Sequence, residues 1–356
     1  MNPLFDRLFA GNTESEIFLS FPEKNEPLTY EKFLNETKCM ASRLKTLGLE
    51  KGDRLVLQIE KSHHVFTIYG ACAQLGIIFI PLNTSYTAVE VEYFLKDSEC
   101  KIFVATSKMK RDLESQNKTV NCKIETIDAD YSGSFFSDFD ENEPLDITEN
   151  QEEDDIAAIL YTSGTTGRSK GAMLSQKNLL SNALTLSKSW GFTASDVLLH
   201  ALPIYHTHGL FVATNIALAS GSQIRFLRKF SEDDIIINLP STTVMMGVPT
   251  FYTRLLANRE FNKEITKNMR LFISGSAPLL KETHEKFQHL TGHKILERYG
   301  MTETNMITSN PYNGERKAGT VGLALKDVKV RVAALENEEE VLKNGEIGVV
   351  EVMGPN

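Results

Sequence analysis

Short apolar runs alternate with amphipathic stretches along the first 105 residues, and this alternation limits the fold more than any other feature of the sequence. A helix is predicted to begin after Thr29, a suitable N-cap, and to end at Gly48. The order of strands and helices favours a mostly parallel sheet with helices on its faces. The predicted elements are helix 30–47, strand 54–59, helix 63–75, strand 77–82, helix 88–96 and strand 101–105.

The same alternation resumes after residue 155, which predicts a second α/β unit. After residue 320, the strand-like runs 328–332 and 347–353 and the Asn-Gly turn at 344–345 indicate antiparallel strands of a small barrel. We therefore expect an α/β fold of two stacked, mostly parallel subdomains and a small β-barrel-like subdomain. The later predicted strands are 156–161, 197–202, 223–227, 243–248 and 271–274, and the approximate subdivisions are 1–155, 156–318 and 319–356.

Residues 107–155 interrupt the alternation because they are polar and then acidic. The stretch 138–155 holds ten acids and no base, and it accounts for the net charge of −9, since the rest of the chain is close to +1. We interpret 107–155 as a solvated connector. The alternative is an acidic segment that binds a partner.

Composition excludes several classes of protein. A chain of 356 residues with 41% apolar and 24% charged residues is typical of a globular protein with more than one core. It has no uninterrupted apolar run of membrane-spanning length and no basic stripe, so neither a membrane nor a nucleic acid is expected as a partner. The four cysteines form no C-x-x-C pair, which favours buried thiols in a reducing cytoplasm. The oligomeric state stays open.

A run of glycines, hydroxyls and a lysine at residues 161–171 carries the strongest chemical signal. It reads Tyr-Thr-Ser-Gly-Thr-Thr-Gly-Arg-Ser-Lys-Gly, after an apolar strand and before a predicted helix. Glycines let backbone amides approach a bulky anion, so the run suits a polyphosphate better than a flexible connector. It is not a Walker A loop, because Ser169 stands where that motif has glycine. The candidate phosphate-binding residues are Thr162, Ser163, Gly164, Thr165, Thr166, Gly167 and Lys170.

This run resembles the phosphate loop of the adenylate-forming superfamily, which includes acyl-CoA synthetases, luciferase-like enzymes and peptide synthetase adenylation domains. Further motifs similar to that family follow in its order: Leu-Pro-Ile-Tyr-His-Thr-His-Gly at 202–209, Gly-Ser-Ala-Pro at 275–278, Tyr-Gly-Met-Thr-Glu at 299–303 and Gly-Thr-Val-Gly at 319–322. Residues 81–86, 296–306 and 309–317 are most similar to malonyl-CoA synthetases. The resemblance implies that 1–356 is an N-terminal AMP-binding domain.

The resemblance also implies a reaction in which a carboxylate attacks the α-phosphorus of ATP, and the acyl-adenylate then reacts with coenzyme A. Catalysis of such a step is mainly positioning and charge neutralisation. In this comparison Lys170 contacts pyrophosphate, Thr302 the α-phosphate, Glu303 Mg²⁺ and Tyr299 the adenine. The implied nucleotide-binding residues, besides those of the loop, are Gly275, Ser276, Ala277, Tyr299, Gly300, Met301 and Thr302.

Two candidates for the acid site come from the same resemblance. His206 corresponds to a position near the reacting carboxylate, and Arg298 can hold the second carboxylate of malonate with two parallel hydrogen bonds. Arg254 could assist or be structural, and His208 is more readily structural. The alternative for Arg298 is a pair with Glu297.

We expect the large domain of a malonyl-CoA synthetase that uses ATP, Mg²⁺ and coenzyme A. The family's small C-terminal domain, which supplies an adenylation lysine, has no counterpart in the sequence, so we expect the chain alone to lack full activity. The alternatives are a synthetase for another short-chain or aromatic acid, and a non-catalytic nucleotide-binding domain.

Overall fold

The computed structural model describes residues 1–12, 16–23, 26–137, 139, 143–162, 168–337 and 339–356. Strands form two large sheets, one of six strands and one of nine, with a separate two-stranded sheet. The α-helices are α1 (Tyr30–Thr46), α2 (His63–Leu75), α3 (Ala88–Asp97), α4 (Ser107–Ser115), α5 (Gln176–Ser189), α6 (Asn215–Ser220), α7 (Glu232–Asn238), α8 (Pro249–Ala257) and α9 (Lys281–Thr291). The shorter helical turns are Phe5–Phe9, Ser134–Phe136, His208–Thr214, Leu239–Ser241 and Thr302–Thr304.

The six-stranded sheet has the order β6-β5-β3-β4-β7-β8, and every neighbouring pair is parallel except β7 with β8. This confirms the parallel sheet predicted from the alternation. Its strands are β3 (Arg54–Gln58), β4 (Ile78–Pro81), β5 (Ile102–Ala105), β6 (Lys123–Thr126), β7 (Ile156–Thr162) and β8 (Lys170–Ser175).

The nine-stranded sheet has the order β15-β14-β13-β12-β11-β9-β10-β1-β2. It is parallel from β13 through to β1 and antiparallel at both ends. Its strands are β1 (Ile17–Ser20), β2 (Leu28–Thr29), β9 (Val197–His200), β10 (Gln223–Phe226), β11 (Val244–Gly247), β12 (Leu271–Ser274), β13 (Leu296–Met301), β14 (Asn305–Ser309) and β15 (Leu323–Ala324).

Helix α1 begins and packs as its sequence predicts. The Thr29 hydroxyl accepts a hydrogen bond from the backbone N–H of Lys32 at 3.2 Å, which satisfies one free donor of the first turn. Phe33 and Leu44 on one face are fully buried. The buried Tyr30 hydroxyl lies 3.0 Å from the carbonyl oxygen of Ala217 within α6 and 2.8 Å from that of Ser222 just after it, so the start of α1 is attached to the end of α6.

The predicted subdivision at residue 155 does not separate the two sheets. Strands β7 and β8 follow that point yet complete the six-stranded sheet, because β7 pairs in parallel with β4 through Phe79 and Ala158. Strand β1 precedes it yet pairs in parallel with β10 of the other sheet, Leu19 opposite Ile224. The chain therefore starts in the nine-stranded sheet, builds the six-stranded one, and returns.

The segment 107–155 is more structured than the predicted solvated connector. Residues 107–126 add α4 and the edge strand β6, and Phe135 is fully buried. The acidic stretch that follows lies along the first unit, where it forms ion pairs with lysines. These pairs are Lys38–Asp146 at 2.8 Å, Lys45–Glu149 at 3.0 Å and Lys51–Asp155 at 2.8 Å, whereas residues 138 and 140–142 lie outside the described part.

The antiparallel strands predicted near the end of the sequence are present as β16 (Lys329–Ala333) and β17 (Val349–Met353). They form a two-stranded sheet, and in the described part of 319–356 no barrel closes around them, because β15 joins the nine-stranded sheet instead. Of the helices that the structure describes, none has the length and apolar character needed to span a bilayer.

Candidate functional site

The candidate site lies at one edge of the nine-stranded sheet. Strands β9, β11, β12 and β13 are parallel neighbours, so the segments that follow their carboxyl ends meet at the same edge. Open α/β sheets bind ligands at this edge. A cavity of about 440 Å³ opens there. Eight predicted site residues line it: Thr162, His206, Ser276, Arg298, Gly300, Met301, Thr302 and Glu303.

Arg298 is the buried cation of this cavity. Only 4% of the residue is exposed, and its Nε and Nη2 have no hydrogen-bond partner in the part of the chain that the structure describes. Burial lowers the pKa of its guanidinium to about 10, so the group remains charged at neutral pH. Two unsatisfied donors on a planar cation match the two oxygens of a carboxylate.

The neighbouring residues explain why Arg298 has no protein partner. Glu297 points to the opposite face of β13, as alternating strand residues do, so the predicted alternative pair with Arg298 does not form. Its carboxylate lies 3.3 Å from His284 Nδ1 and accepts from the backbone N–H of Gly319 at 3.1 Å. The guanidinium itself crosses Gly275, where an added Cβ would come within 2.3 Å of Arg298 Cζ. Gly275 therefore provides the space for Arg298.

Two histidines share the cavity with Arg298. His206 is exposed at the cavity, and the surrounding protein lowers its pKa through desolvation. His208 is buried, its Nδ1 lies 3.2 Å from the Ser276 hydroxyl, and its Nε2 has no partner among the described residues. Burial, and then the positive charge of Arg298, hold the pKa of His208 well below its usual value. His208, expected to be structural, thus presents a free ring nitrogen beside the arginine.

The predicted phosphate loop joins two antiparallel strands. It lies between β7 and β8, so the helix expected directly after it is displaced to α5 by six strand residues. Five of its predicted ligands, Ser163, Gly164, Thr165, Thr166 and Gly167, lie outside the described residues. Lys170 is exposed at the start of β8.

Contacts at both ends of this loop connect it to neighbouring elements. The Thr162 hydroxyl donates to Glu303 Oε1 at 3.2 Å, which links β7 to the turn Thr302–Thr304. On the other side, the Tyr93 hydroxyl of α3 donates to the Ser169 carbonyl at 2.8 Å. The residues on both sides of the loop, Thr162 and Ser169, are thus bonded to neighbouring elements. Tyr93 was missed by sequence reasoning, because nothing in α3 signals a contact 76 residues away.

A second hollow of about 280 Å³ lies on the other side of Arg298. The predicted adenine-binding residues Ser276, Ala277, Tyr299 and Gly300 line it together with Arg298. Ser276 has φ of 68°, a left-handed conformation that is uncommon outside glycine. This backbone conformation accompanies its side-chain contact with His208, and Met301 lines the larger cavity beyond.

Glu303 fits a Mg²⁺ ion that is held mainly by phosphate and water. It is a carboxylate at the cavity wall, and a hydroxyl rather than a cation is its bonded neighbour. Within the described ranges, no group of three or more His, Cys, Asp or Glu side chains could form a protein cage for a metal. One carboxylate plus substrate oxygens is the usual arrangement for Mg²⁺.

The structure does not bring Arg254 into the cavity. Its guanidinium donates to both oxygens of Glu232 at 2.6 Å and 2.7 Å, and it stacks 4.7 Å from the Phe230 ring. Because its donors already have a carboxylate partner on the surface, the prediction that Arg254 assists substrate binding is corrected: its role here is structural. The His-x-His spacing at 206–208 was the signal that could have identified His208 instead.

The fold and site together define a family. The profile of the AMP-binding enzyme family matches residues 7–356. The chain belongs to this family, as the ordered motifs of the sequence indicated.

Individual relatives show which members of the family the chain resembles. The chain is 34% identical over 294 residues to a malonate–CoA ligase of Arabidopsis thaliana and 33% identical over 337 residues to the mitochondrial malonate–CoA ligase ACSF3 of Mus musculus. These alignments cover 74% and 88% of the chain but 47% and 56% of the relatives. The chain therefore spans about half the length of the curated relatives it matches.

A solved structure is more similar still. ATP-bound MatB from Rhodopseudomonas palustris is 47% identical, with a TM-score of 0.94 over the whole chain and 71% of the MatB chain. A malonyl-CoA ligase product complex with methylmalonyl-CoA and AMP is 28% identical, with a TM-score of 0.80. These similarities confirm the predicted fold of the N-terminal domain of adenylate-forming enzymes.

Proposed function

We propose that this chain forms the nucleotide- and acid-binding part of an ATP-dependent acid–CoA ligase whose substrate is malonate. The observation that carries the proposal is Arg298, a buried guanidinium with two unsatisfied donors inside the main cavity. A buried cation without a counter-charge is costly, and an anionic ligand removes that cost. The similarity to malonate–CoA ligases of plant and animal origin supports the same substrate.

The chemistry of the acid site favours a dicarboxylate. One carboxylate of malonate would accept from Arg298 Nε and Nη2, with the free His208 Nε2 beside it. The other carboxylate would then face His206 and the α-phosphate. A monocarboxylic acid would place an apolar end against the guanidinium and leave its donors unsatisfied.

The first half-reaction forms a bond between a malonate oxygen and the α-phosphorus of ATP, and pyrophosphate leaves with the electrons of the broken P–O bond. Thr302 would donate to the α-phosphate and Lys170 would contact the leaving phosphates. Glu303 would hold Mg²⁺, which neutralises phosphate charge when bound. Tyr299 and the 275–277 loop would hold the adenine in the second hollow.

In the second half-reaction the thiolate of coenzyme A attacks the acyl carbon and AMP leaves. A third cavity of about 370 Å³ adjoins the main one, because Leu202, Pro203 and Val248 line both. Its walls are mostly apolar, and its charged lining residues are the basic Lys61, Arg228 and Lys229 and the acidic Glu60. We propose it as the entry for the thiol arm, since an apolar channel with cations fits a chain that ends in phosphates.

The test is acid-dependent pyrophosphate exchange and thioester synthesis by the full-length protein with malonate, methylmalonate, acetate and a medium-chain acid. We expect malonate to give the highest kcat/KM. A preference for acetate or the medium-chain acid would overturn the dicarboxylate assignment. ATP binding without exchange for any acid would favour a non-catalytic nucleotide-binding domain.

A further inference from the structure

A partly buried lysine outside the predicted site contacts the last residue of strand β9, which leads into the loop that carries His206 and His208. Lys61 follows β3, and its Nζ lies 3.0 Å from His200 Nδ1, 3.0 Å from the His200 carbonyl oxygen and 4.7 Å from the centre of the Phe226 ring. No ion pair joins Lys61 to a carboxylate among the described residues, although the residue lines the 370 Å³ cavity. A lysine held by a histidine and an aromatic face, without a carboxylate, is an unusual choice for stability alone.

The contacts determine which nitrogen of His200 carries its proton. His200 ends β9 and is 1% exposed. Its Nε2 lies 2.8 Å from the Gly209 carbonyl oxygen, which can only accept, so Nε2 carries the hydrogen. In a neutral imidazole Nδ1 is then an acceptor, and it faces Lys61. Burial, and then the charge of Lys61, lower the pKa of His200 to about 3, so the ring is neutral at working pH.

Gly209 is the point where this chain of contacts reaches the candidate site. It is the second residue of the buried helical turn His208–Thr214, directly after His208, and it lines the 440 Å³ cavity. A Cβ at this position would lie 2.0 Å from the Pro203 carbonyl oxygen, so the backbone is tightly packed. The Gly209 carbonyl accepts from both His200 and the Thr214 hydroxyl, at 2.8 Å and 3.0 Å. Its position therefore depends on two donors, one of them oriented by Lys61.

We infer that Lys61 is a positioning residue for the acid site: it orients His200, which through the Gly209 carbonyl holds the loop of His206 and His208 against Arg298. The expected effect on malonate kinetics rests on the proposed function, whereas the expected contact between Lys61 and His200 does not. Lys61 acts on the acid side of the cavity, whereas the phosphate-binding motifs belong to β7, β8 and residues 299–303. Its removal should therefore affect the acid more than the nucleotide.

The kinetic test uses Lys61→Met in the full-length protein, with pyrophosphate exchange as the readout so that coenzyme A is not required. We expect kcat/KM for malonate to fall about tenfold, the size of one lost buried hydrogen bond, while KM for ATP stays within about twofold. Lys61→Arg keeps a donor toward His200, so its kcat/KM for malonate should be closer to that of the unmodified protein. Lys118→Met is a matched control, because Lys118 is also partly buried in the first unit but pairs with Glu92 at 3.1 Å.

A structural readout separates this inference from the proposed function. In protein labelled with ¹⁵N-histidine, His200 should show the Nε2–H tautomer, and the Nδ1 shift should move to that of an unbonded acceptor in Lys61→Met. If the unmodified protein shows no acid-dependent exchange, the proposed function fails, and this spectrum still tests the contact. An unchanged Nδ1 shift overturns the inference. The inference is also overturned if kcat/KM falls equally for ATP and for malonate and Tm is lower, since that result indicates a structural role only.

Discussion

At the scale of single residues, the cavity is organised around buried polar atoms that lack hydrogen-bond partners in the described part of the chain. Arg298 Nε, Arg298 Nη2 and His208 Nε2 are buried without hydrogen bonds in the described ranges, and all three belong to residues that line one cavity. Each unsatisfied group lowers the stability of the folded protein until a ligand satisfies it. An anion bound in the cavity would therefore increase the stability of the folded protein by satisfying these groups.

Replacement of Arg298 by alanine in the full-length protein should reverse the preference among acids. A buried charged pair is worth roughly 2–5 kcal/mol and 1.4 kcal/mol is tenfold, so kcat/KM for malonate should fall by about two orders of magnitude. Butyrate should be used equally well or better, because the unpaired cation is removed from the place of its apolar end. Steady-state kinetics with both acids measure the change.

Arg254→Ala is the matched control, since this arginine pairs with Glu232 on the surface. This substitution should leave kcat/KM for malonate and for butyrate unchanged. A parallel fall for malonate and butyrate in Arg298→Ala, with a lower Tm, would withdraw the dicarboxylate assignment.

At the scale of elements, the phosphate loop lies in the sequence between two antiparallel neighbouring strands, β7 and β8. The sequence predicted the strand before it and the lysine after it, but not that Lys170 opens a strand. Residues 170–175 carry no strict alternation, and their pairing with β7 is settled by contacts that only the folded sheet supplies. The alternation predicted β3, β4 and α1 to α3. Of these, β3, β4 and α2 are apolar segments that are buried along almost their whole length, whereas α1 and α3 bury one face each, which leaves a periodic trace in the sequence.

Pairing between distant segments was beyond prediction for the same reason. The entry of β1 into the nine-stranded sheet depends on its register with Ile224, about 200 residues away, and nothing local encodes it. At the site, the motifs identified Arg298 and Glu303, while the pairing of Arg254 with Glu232 could not be distinguished from a ligand role. The fold determines which residue pairs with a charged side chain, so the sequence around that side chain does not reveal its partner.

Lys170→Ala should weaken the binding of ATP more than the binding of AMP. The reason is that a lysine at the start of β8 would contact only the leaving phosphates, which AMP lacks. We expect about a tenfold loss for ATP, the scale of one charge-assisted hydrogen bond, and little change for AMP. Calorimetric titration of both nucleotides measures this. Lys177→Ala serves as a control, because Lys177 is exposed on the following helix and pairs with Glu153. Equal losses for ATP and AMP would contradict the assignment.

A second prediction at this scale concerns the ion pair that joins α5, β9 and β12. Asp196 is buried before β9, and Arg270 donates to both its oxygens at 2.6 Å and 2.7 Å. Asp196→Asn should lower the free energy of unfolding by roughly 3 kcal/mol, since it leaves the arginine unpaired. Urea unfolding measures it, and Glu232→Gln, which breaks an exposed pair, should have little effect. Equal midpoints for the two variants would refute the structural role.

At the scale of the whole molecule, buried neutral histidines make stability depend on pH. Burial lowers the pKa of His200 to about 3, and burial also lowers the pKa of His208. Their unfolded pKa is near 6.5. Between these values the unfolded chain binds more protons than the folded one, so the folded state loses stability as pH falls below about 6.5.

Each such histidine should lower the free energy of unfolding by about 1.4 kcal/mol per pH unit below 6.5. Urea midpoints at pH 7.5, 6.5 and 5.5 check this, and His200→Gln should flatten the slope. Depression of the Asp196 pKa from 3.8 acts only at lower pH and does not interfere. A midpoint that is constant or rises between pH 6.5 and 5.5 would contradict the argument.

Arg298 forms part of the wall of both the 440 Å³ cavity and the 280 Å³ hollow. A ligand in either space restricts the same guanidinium, and so changes what the other space offers. We therefore expect ligand binding in the two spaces to be thermodynamically coupled. Such coupling is reciprocal: whatever factor a ligand in one space adds to the affinity for a ligand in the other, the second ligand adds to the affinity for the first. A side chain shared by two cavities would make binding in them cooperative without any movement of the sheets.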